Sequence, residues 1–352
     1  MANNKKQVVT PTKSNKNHAP KHNELSKSAK SSMTTRIISG IIGLAILVPS
    51  IFLGDWIYFA FITFALGVAC WEILGCTKKR TVPILIIYFI FISLIAYWPI
   101  FKYLITNGTS ISKIDFYFQK IYLSIIVILV GIFLLFGFTV IYKDFTVLDA
   151  CFLIAMGILI GFGFQCLFFL RYYPNVDLHI QDQEAWHFTV ENTIRPSLLL
   201  LFVIISTFLT DSGAYFVGVF FGKNKMNERI SPKKTWEGFV GGIVISSIIT
   251  FAIGFIFTLC NYPIISFFTL DKLYYILIFS VLIPLFATLG DFVFSSIKRY
   301  WGIKDYGKLI PGHGGVLDRL DSIFFAVIVA SIFVFILSNT VSGKFDWEAF
   351  LV

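Results

Sequence analysis

Apolar stretches long enough to cross a bilayer, separated by short polar connections, fall near residues 37–53, 56–75, 82–101, 121–142, 149–170, 197–220, 238–260, 272–295 and 320–338. This pattern predicts an all-α polytopic integral membrane protein with about nine transmembrane helices. Composition agrees: 57% hydrophobic residues, 14% charged residues and a mean hydropathy of +0.79 exclude a soluble globule. The 40 Phe residues are spread through the apolar runs and read as lipid-facing and packing surface. Cys70, Cys76, Cys151, Cys166 and Cys260 show neither CxxC nor Cys/His metal spacing and are expected to be reduced and structural.

Charge divides the chain into three parts. Residues 1–35 hold seven Lys and one Glu without an apolar run, which reads as a disordered basic tail. With Arg36 this tail carries +7 of the formal +9 charge, so the remainder is nearly balanced. Residues 36–195 form an N-terminal set of transmembrane helices, and 196–352 a C-terminal region that carries the polar chemistry. Lys78, Lys79 and Arg80, then the basic residues of 221–237 and 296–319, lie in alternate connections, so these connections and the tail are expected to be cytoplasmic. The active-site cavity is then expected to face the cytoplasm, in the plasma membrane of a bacterium. On the other side, Asp177, His179, Asp182, Glu184, His187 and Glu191 lack a helical metal spacing, and Asn107-Gly108-Thr109 is a formal glycosylation sequon. The tail holds no aromatic residue for base stacking, so nucleic acid is not an expected partner.

Two polar blocks lie between the later apolar windows. In 295–321, SSIKRYWGIKDYGKLIPGHGGVLDRLD, the cations Lys298, Arg299, Lys304 and Lys308 suit phosphate oxygens, while Gly312, Gly314 and Gly315 let backbone approach a ligand. Asp318 and Asp321, three apart, share a helix face and can hold a hard cation such as Mg²⁺. In 210–242, Ser231-Pro232-Lys233-Lys234-Thr235 places two cations and two hydroxyls just before an expected helix start, an arrangement able to hold a triphosphate. It is not a Walker A loop, because the spaced glycines before the Lys are missing. Trp236 can stack on a base or anchor at the membrane interface.

The block from Ser295 through Lys298-Arg299, Lys304-Asp305, Gly307, Pro311 and His313-Gly314-Gly315 to Asp318-Arg319-Leu320-Asp321 resembles the signature of the phosphatidate cytidylyltransferases. The block at 210–242 resembles the second characteristic region of that family, and the similarity runs from about residue 196 to 338. Phe294, Tyr306 and Val219 stand where many members carry an acid, a small hydroxyl and a basic residue. The resemblance implies CTP and phosphatidate as substrates, membrane lipids as surroundings, and Mg²⁺, with a second cation allowed. A homodimer is compatible with it.

Asp291 lies inside the eighth window, about 6 Å below its last residue, and an acid at that depth requires compensation. A cation shared by Asp291 and Asp318, with Asp321 as ligand or outer partner, is the favoured arrangement; an ion pair with Lys298 or Arg319 is the alternative. Asp211, deeper in the sixth window, binds metal or substrate indirectly or satisfies a buried partner. The expected catalytic set is Asp291, Lys298, Arg299, Asp318, Arg319 and Asp321. Substrate binding is expected from Asp211, Ser231, Lys233, Lys234, Lys304, His313, Gly314 and Gly315. A phosphate monoester brings its own nucleophile, so no strong protein base is required. A CTP-dependent polyprenol kinase is the alternative enzyme, disfavoured by the complete HGG-to-DRLD ending. A transporter would show paired similar halves, and no repeat is present.

Overall fold

The computed structural model describes residues 27–53, 55–78, 80–107, 121–177, 190–265 and 268–341. Among the described residues nine α-helices follow in order: α1 (Lys27–Leu53), α2 (Asp55–Thr77), α3 (Val82–Asn107), α4 (Ile121–Ile141), α5 (Val147–Asp177), α6 (Val190–Phe221), α7 (Trp236–Leu259), α8 (Leu273–Tyr300) and α9 (Leu317–Val341). Six carry segments long and apolar enough to cross a membrane: Trp56–Thr77, Val147–Arg171, Ser197–Phe221, Trp236–Leu259, Leu270–Tyr300 and Leu317–Leu337. Shorter apolar segments, Ile38–Leu53, Val82–Tyr97 and Ile128–Ile141, lie in α1, α3 and α4. The architecture is that of a multi-pass membrane protein.

Three expectations change. The fold is not purely helical, because an antiparallel hairpin of β1 (Lys225–Asn227) and β2 (Ser231–Thr235) connects α6 to α7. Its strands are three and five residues long, too short for an alternating pattern to stand out. The tail is not uniformly irregular, since α1 already begins at Lys27. Finally, α8 continues to Tyr300, which makes Lys298 and Arg299 helical and sets Asp291 roughly 13 Å from the helix end. Residues 1–26, Lys79, Thr109, His179, Asp182, Glu184 and His187 lie outside the described residues.

Helix α7 buries Gly238, Gly242, Ser246, Thr250, Gly254 and Thr258, each four residues after the last. That spacing lines small side chains along one face, a groove into which α6 packs at close range. A Cβ on Gly242 would stand 2.7 Å from the Thr210 carbonyl oxygen, and one on Gly238 2.7 Å from that of Ala214. Ser246 Oγ donates to the Ser206 carbonyl at 2.8 Å, deeper in the same contact. Lipid supplies little hydrophobic drive between helices, so close backbone approach and interhelical hydrogen bonds hold α6 to α7. The approach fixes the start of α7, and with it the hairpin. Likewise, a Cβ on Gly290 would meet the Asp321 carbonyl oxygen at 2.6 Å, which brings the backbones of α8 and α9 together beside Asp291. Beneath them Phe164 of α5 meets Phe324 of α9 edge to face at 5.2 Å, with Phe294 of α8 alongside, closing the polar ends with an apolar floor.

Candidate active site

Local hydrogen bonds build the hairpin. Asn227 Oδ1 accepts from the amides of Arg229 and Ile230 at 3.1 and 3.2 Å, an Asx turn at the tip. Thr235 Oγ1 accepts from Gly238 N at 3.1 Å and caps α7, the helix start expected from the sequence. Glu237 accepts from the amides of Lys223 and Asn224 and from Asn224 Nδ2 at 2.8 Å, closing the turn that leaves α6.

Lys233 and Lys234 are neighbours on β2 and therefore face opposite ways. Lys234 reaches α8, where its Nζ donates to Asp291 Oδ2 and lies 4.2 Å from the Phe292 ring centroid. Lys233 is exposed. Arg299 Nε donates to the Ile230 carbonyl at 3.1 Å, which ties the hairpin tip to the end of α8. Ser295 Oγ, one turn after Asp291, donates to Asp291 Oδ1 at 3.1 Å.

A second pair lies deeper. Lys298 Nζ donates to Asp318 Oδ1 at 2.9 Å and stands 3.7 Å from Asp321 Oδ2. The Lys298 and Asp318 side chains are 11% and 3% exposed, against 28% and 23% for Lys234 and Asp291. The inner pair is nearly dry and the outer pair more open to solvent. Asp318 Oδ2 further accepts from the amides of Tyr306 at 2.8 Å and Gly315 at 2.9 Å, so this carboxylate organises the loop before α9. Asp211, on α6, is within electrostatic reach of Asp291, Lys234 and Arg319, and Asp321 is within reach of Asp291 and Asp211.

The loop itself is a tight turn. Ile310 N donates to Gly314 O at 2.9 Å, while Gly312 and Gly314 take φ of +76° and +91°, the left-handed region that favours glycine. Pro311 and His313 dock on α1: Ser39 Oγ donates to Pro311 O at 2.9 Å and lies 2.7 Å from His313 Nδ1. Arg319, exposed on the first turn of α9, donates through Nη2 to His313 O at 2.9 Å. Phe294 and Tyr306, two of the departures from the family pattern, touch each other. Their rings lie 6.0 Å apart edge to face, and Tyr306 Oη donates to Phe294 O at 3.1 Å. Burial pushes the Tyr306 phenol up, which keeps it a donor.

The structure thus gathers Lys234, Asp291, Lys298, Asp318 and Asp321, with Asp211 and Arg319 in electrostatic range. Lys233 and Lys304 lie exposed outside this cluster. Among the described residues no three His, Cys, Asp or Glu side chains are assembled as a metal centre; Asp291 and Asp318 each have an ammonium partner. One residue escaped the sequence reading. Glu72 of α2 is 2% exposed, and its carboxylate accepts from Val316 N at 3.0 Å and Leu317 N at 2.9 Å, at the start of α9. The signal for it was a single acid inside the apolar window 56–75.

Paired lysines and carboxylates gather at the converging ends of helices in a multi-pass membrane protein. Residues 34–337 match the model of the cytidylyltransferase family, and the chain belongs to that family. It is 34% identical over 204 residues to a phosphatidate cytidylyltransferase of Staphylococcus saprophyticus, covering 57% of this chain and 65% of the relative. Its counterpart from Staphylococcus haemolyticus is 32% identical over the same coverage. The phosphatidate cytidylyltransferase of Bacillus subtilis is 30% identical over 300 residues, covering 84% of this chain and 95% of the relative.

Proposed function

We propose that the protein transfers the cytidylyl group of CTP to phosphatidate, giving CDP-diacylglycerol and pyrophosphate in phospholipid biosynthesis. The observation that carries this reading is that Lys234 of the 210–242 block meets Asp291, 57 residues on in α8 and one turn before the 295–321 block, beside that block's Lys298–Asp318–Asp321 group. A monoester oxygen of phosphatidate attacks the α-phosphorus of CTP, and the bond from that phosphorus to the β-phosphate oxygen breaks, releasing pyrophosphate. Lys234, in the more open pair, exchanges its carboxylate for phosphate oxygens, while Lys298 holds Asp318 and Asp321 in place. Ser231, Lys233, Lys304, Arg299 and Arg319 are further donors for the substrate phosphates in this proposal, whereas the His313-Gly314-Gly315 turn packs against Asp318 and Glu72 and so positions those carboxylates rather than the ligand.

The acids fit a hard divalent cation in donor chemistry. Asp318 already receives three donors, so Asp291 and Asp321 would hold the Mg²⁺, with Asp318 in support and Asp211 adjacent. When bound, such an ion neutralises phosphate charge and polarises phosphorus. A second cation is admissible on the same carboxylates.

CTP labelled at the α- or the γ-phosphate tests the reaction with purified protein and phosphatidate. The α-label is expected in the lipid and the γ-label in pyrophosphate. A γ-label in the lipid would replace this reading with a lipid kinase.

All nine helices cross the bilayer in this proposal, with the N-terminus, both polar blocks and the site cavity cytoplasmic in a bacterial plasma membrane. The Lys/Arg distribution supports it. Single cysteines at Asn4 and Asn227 are expected to react from one side and a cysteine at Gly343 from the other. Labelling of positions 4 and 227 from opposite sides would reject nine crossings. The proposal also includes a homodimer, checked by the mass of the detergent-solubilised protein.

A further inference from the structure

We propose that Glu72 is a positioning residue of the site: its buried carboxylate, brought from α2, sets the backbone of residues 315–317 and thereby the place of Asp318. This rests on the reaction proposed above. Helix α9 begins with amides that have no partner within the helix. Gly315 N donates to Asp318, and the next two, Val316 N and Leu317 N, donate one to each Glu72 oxygen. Two carboxylates therefore hold three consecutive amides, where a helix start favours negative charge.

Two glycines of the motif leave room for this carboxylate. A Cβ on Gly307 or on Gly315 would stand 2.2 Å from Glu72 Oε1, and neither glycine has the left-handed φ that would explain it by conformation. Glu72 is thus clasped from both sides of the loop. An ordinary helix cap is a local Ser, Thr, Asn or Asp. Here the cap lies 244 and 245 residues away in sequence, in the N-terminal helices. The charged groups within reach of Glu72 are Arg80, whose guanidinium lies 4.5 Å from the Trp71 ring centroid, and Asp318 itself. The path from Glu72 runs through the Gly315–Leu317 backbone to Asp318, then to Lys298 and Asp321.

Glu72→Gln keeps the volume but offers one acceptor to two amides. In the purified full chain, hydrogen exchange of residues 306–318 is expected to quicken about tenfold or more, with α7 unchanged, as a lost charged hydrogen bond implies. At saturating CTP and phosphatidate, kcat per folded protein is expected to fall about tenfold or more, with the KM for CTP changed less than about threefold, because ground-state binding is not what Glu72 supplies. Glu72→Asp, whose shorter side chain cannot reach both amides, should behave like Gln. Unchanged exchange in 306–318 would overturn the proposal, as would quickening spread equally over α7, or a local change that leaves kcat intact. Should Glu72→Ala fail to insert, the Gln and Asp variants still decide. A wild-type chain that transfers no cytidylyl group would instead reject the reaction, while the exchange result stood.

Discussion

Asp291→Asn should lower turnover roughly 100-fold, the scale of removing one preorganised electrostatic group, and leave thermal unfolding within a degree or two of wild type. The two halves of that result have separate causes. Asparagine keeps the size of the side chain and its contact with Ser295, but removes the charge that attracts a hard cation and balances Lys234. Lys234 is 28% exposed, so water can solvate the released ammonium and the fold loses little. Asp318→Asn is the contrast. It is also expected to be inactive, but with a lower unfolding temperature, because that carboxylate is buried on Lys298 and two loop amides. Activity against Mg²⁺ concentration, measured with the unfolding temperature of each variant, separates the cases. Near-normal turnover and unchanged Mg²⁺ dependence in Asp291→Asn would reduce this acid to an ion-pair partner.

Lys298→Ala should be the most destabilising single substitution at the site. It leaves Asp318 and Asp321 buried without their cation, and breaking a buried pair from one side costs about 3–5 kcal/mol. Lys234→Ala removes an ammonium from a more open pair, so its effect is expected mainly as a raised KM for CTP. Denaturation in detergent, followed by the loss of helical signal, compares the two. Equal stabilities would mean that Asp318 and Asp321 find water or another cation, and that Lys298 is not what anchors the loop.

Much of this architecture is legible in the chain because the bilayer imposes length and apolarity on each crossing. The start of α7 was readable too: Thr235 is a capping residue, and the small residues after it suit close packing. Lys298 was recognisable as one candidate partner of the buried acids. The pairing of Lys234 with Asp291 was not, since it depends on a short polar hairpin aiming one of two adjacent lysines inward. Nor does any local pattern connect Glu72 to Leu317, because their meeting is set by helix packing rather than by spacing. Tyr306 and Phe294 each look like isolated departures in sequence, and only the fold shows that they share one contact.

The Glu72 clasp has a consequence for biogenesis. Its partner amides lie 244 and 245 residues downstream, so at a synthesis rate of about 5–20 residues per second the carboxylate waits roughly 10–50 s before α9 exists. Throughout that interval a nascent membrane helix carries an acid whose insertion costs about 2.5–3.5 kcal/mol near a span centre, less toward its end. Arg80, eight residues on and already translated, supplies a counter-charge within reach. Helix α9 therefore completes a contact prepared by α2, and more than 240 residues must be added after Glu72 before the loop that holds Asp318 can settle.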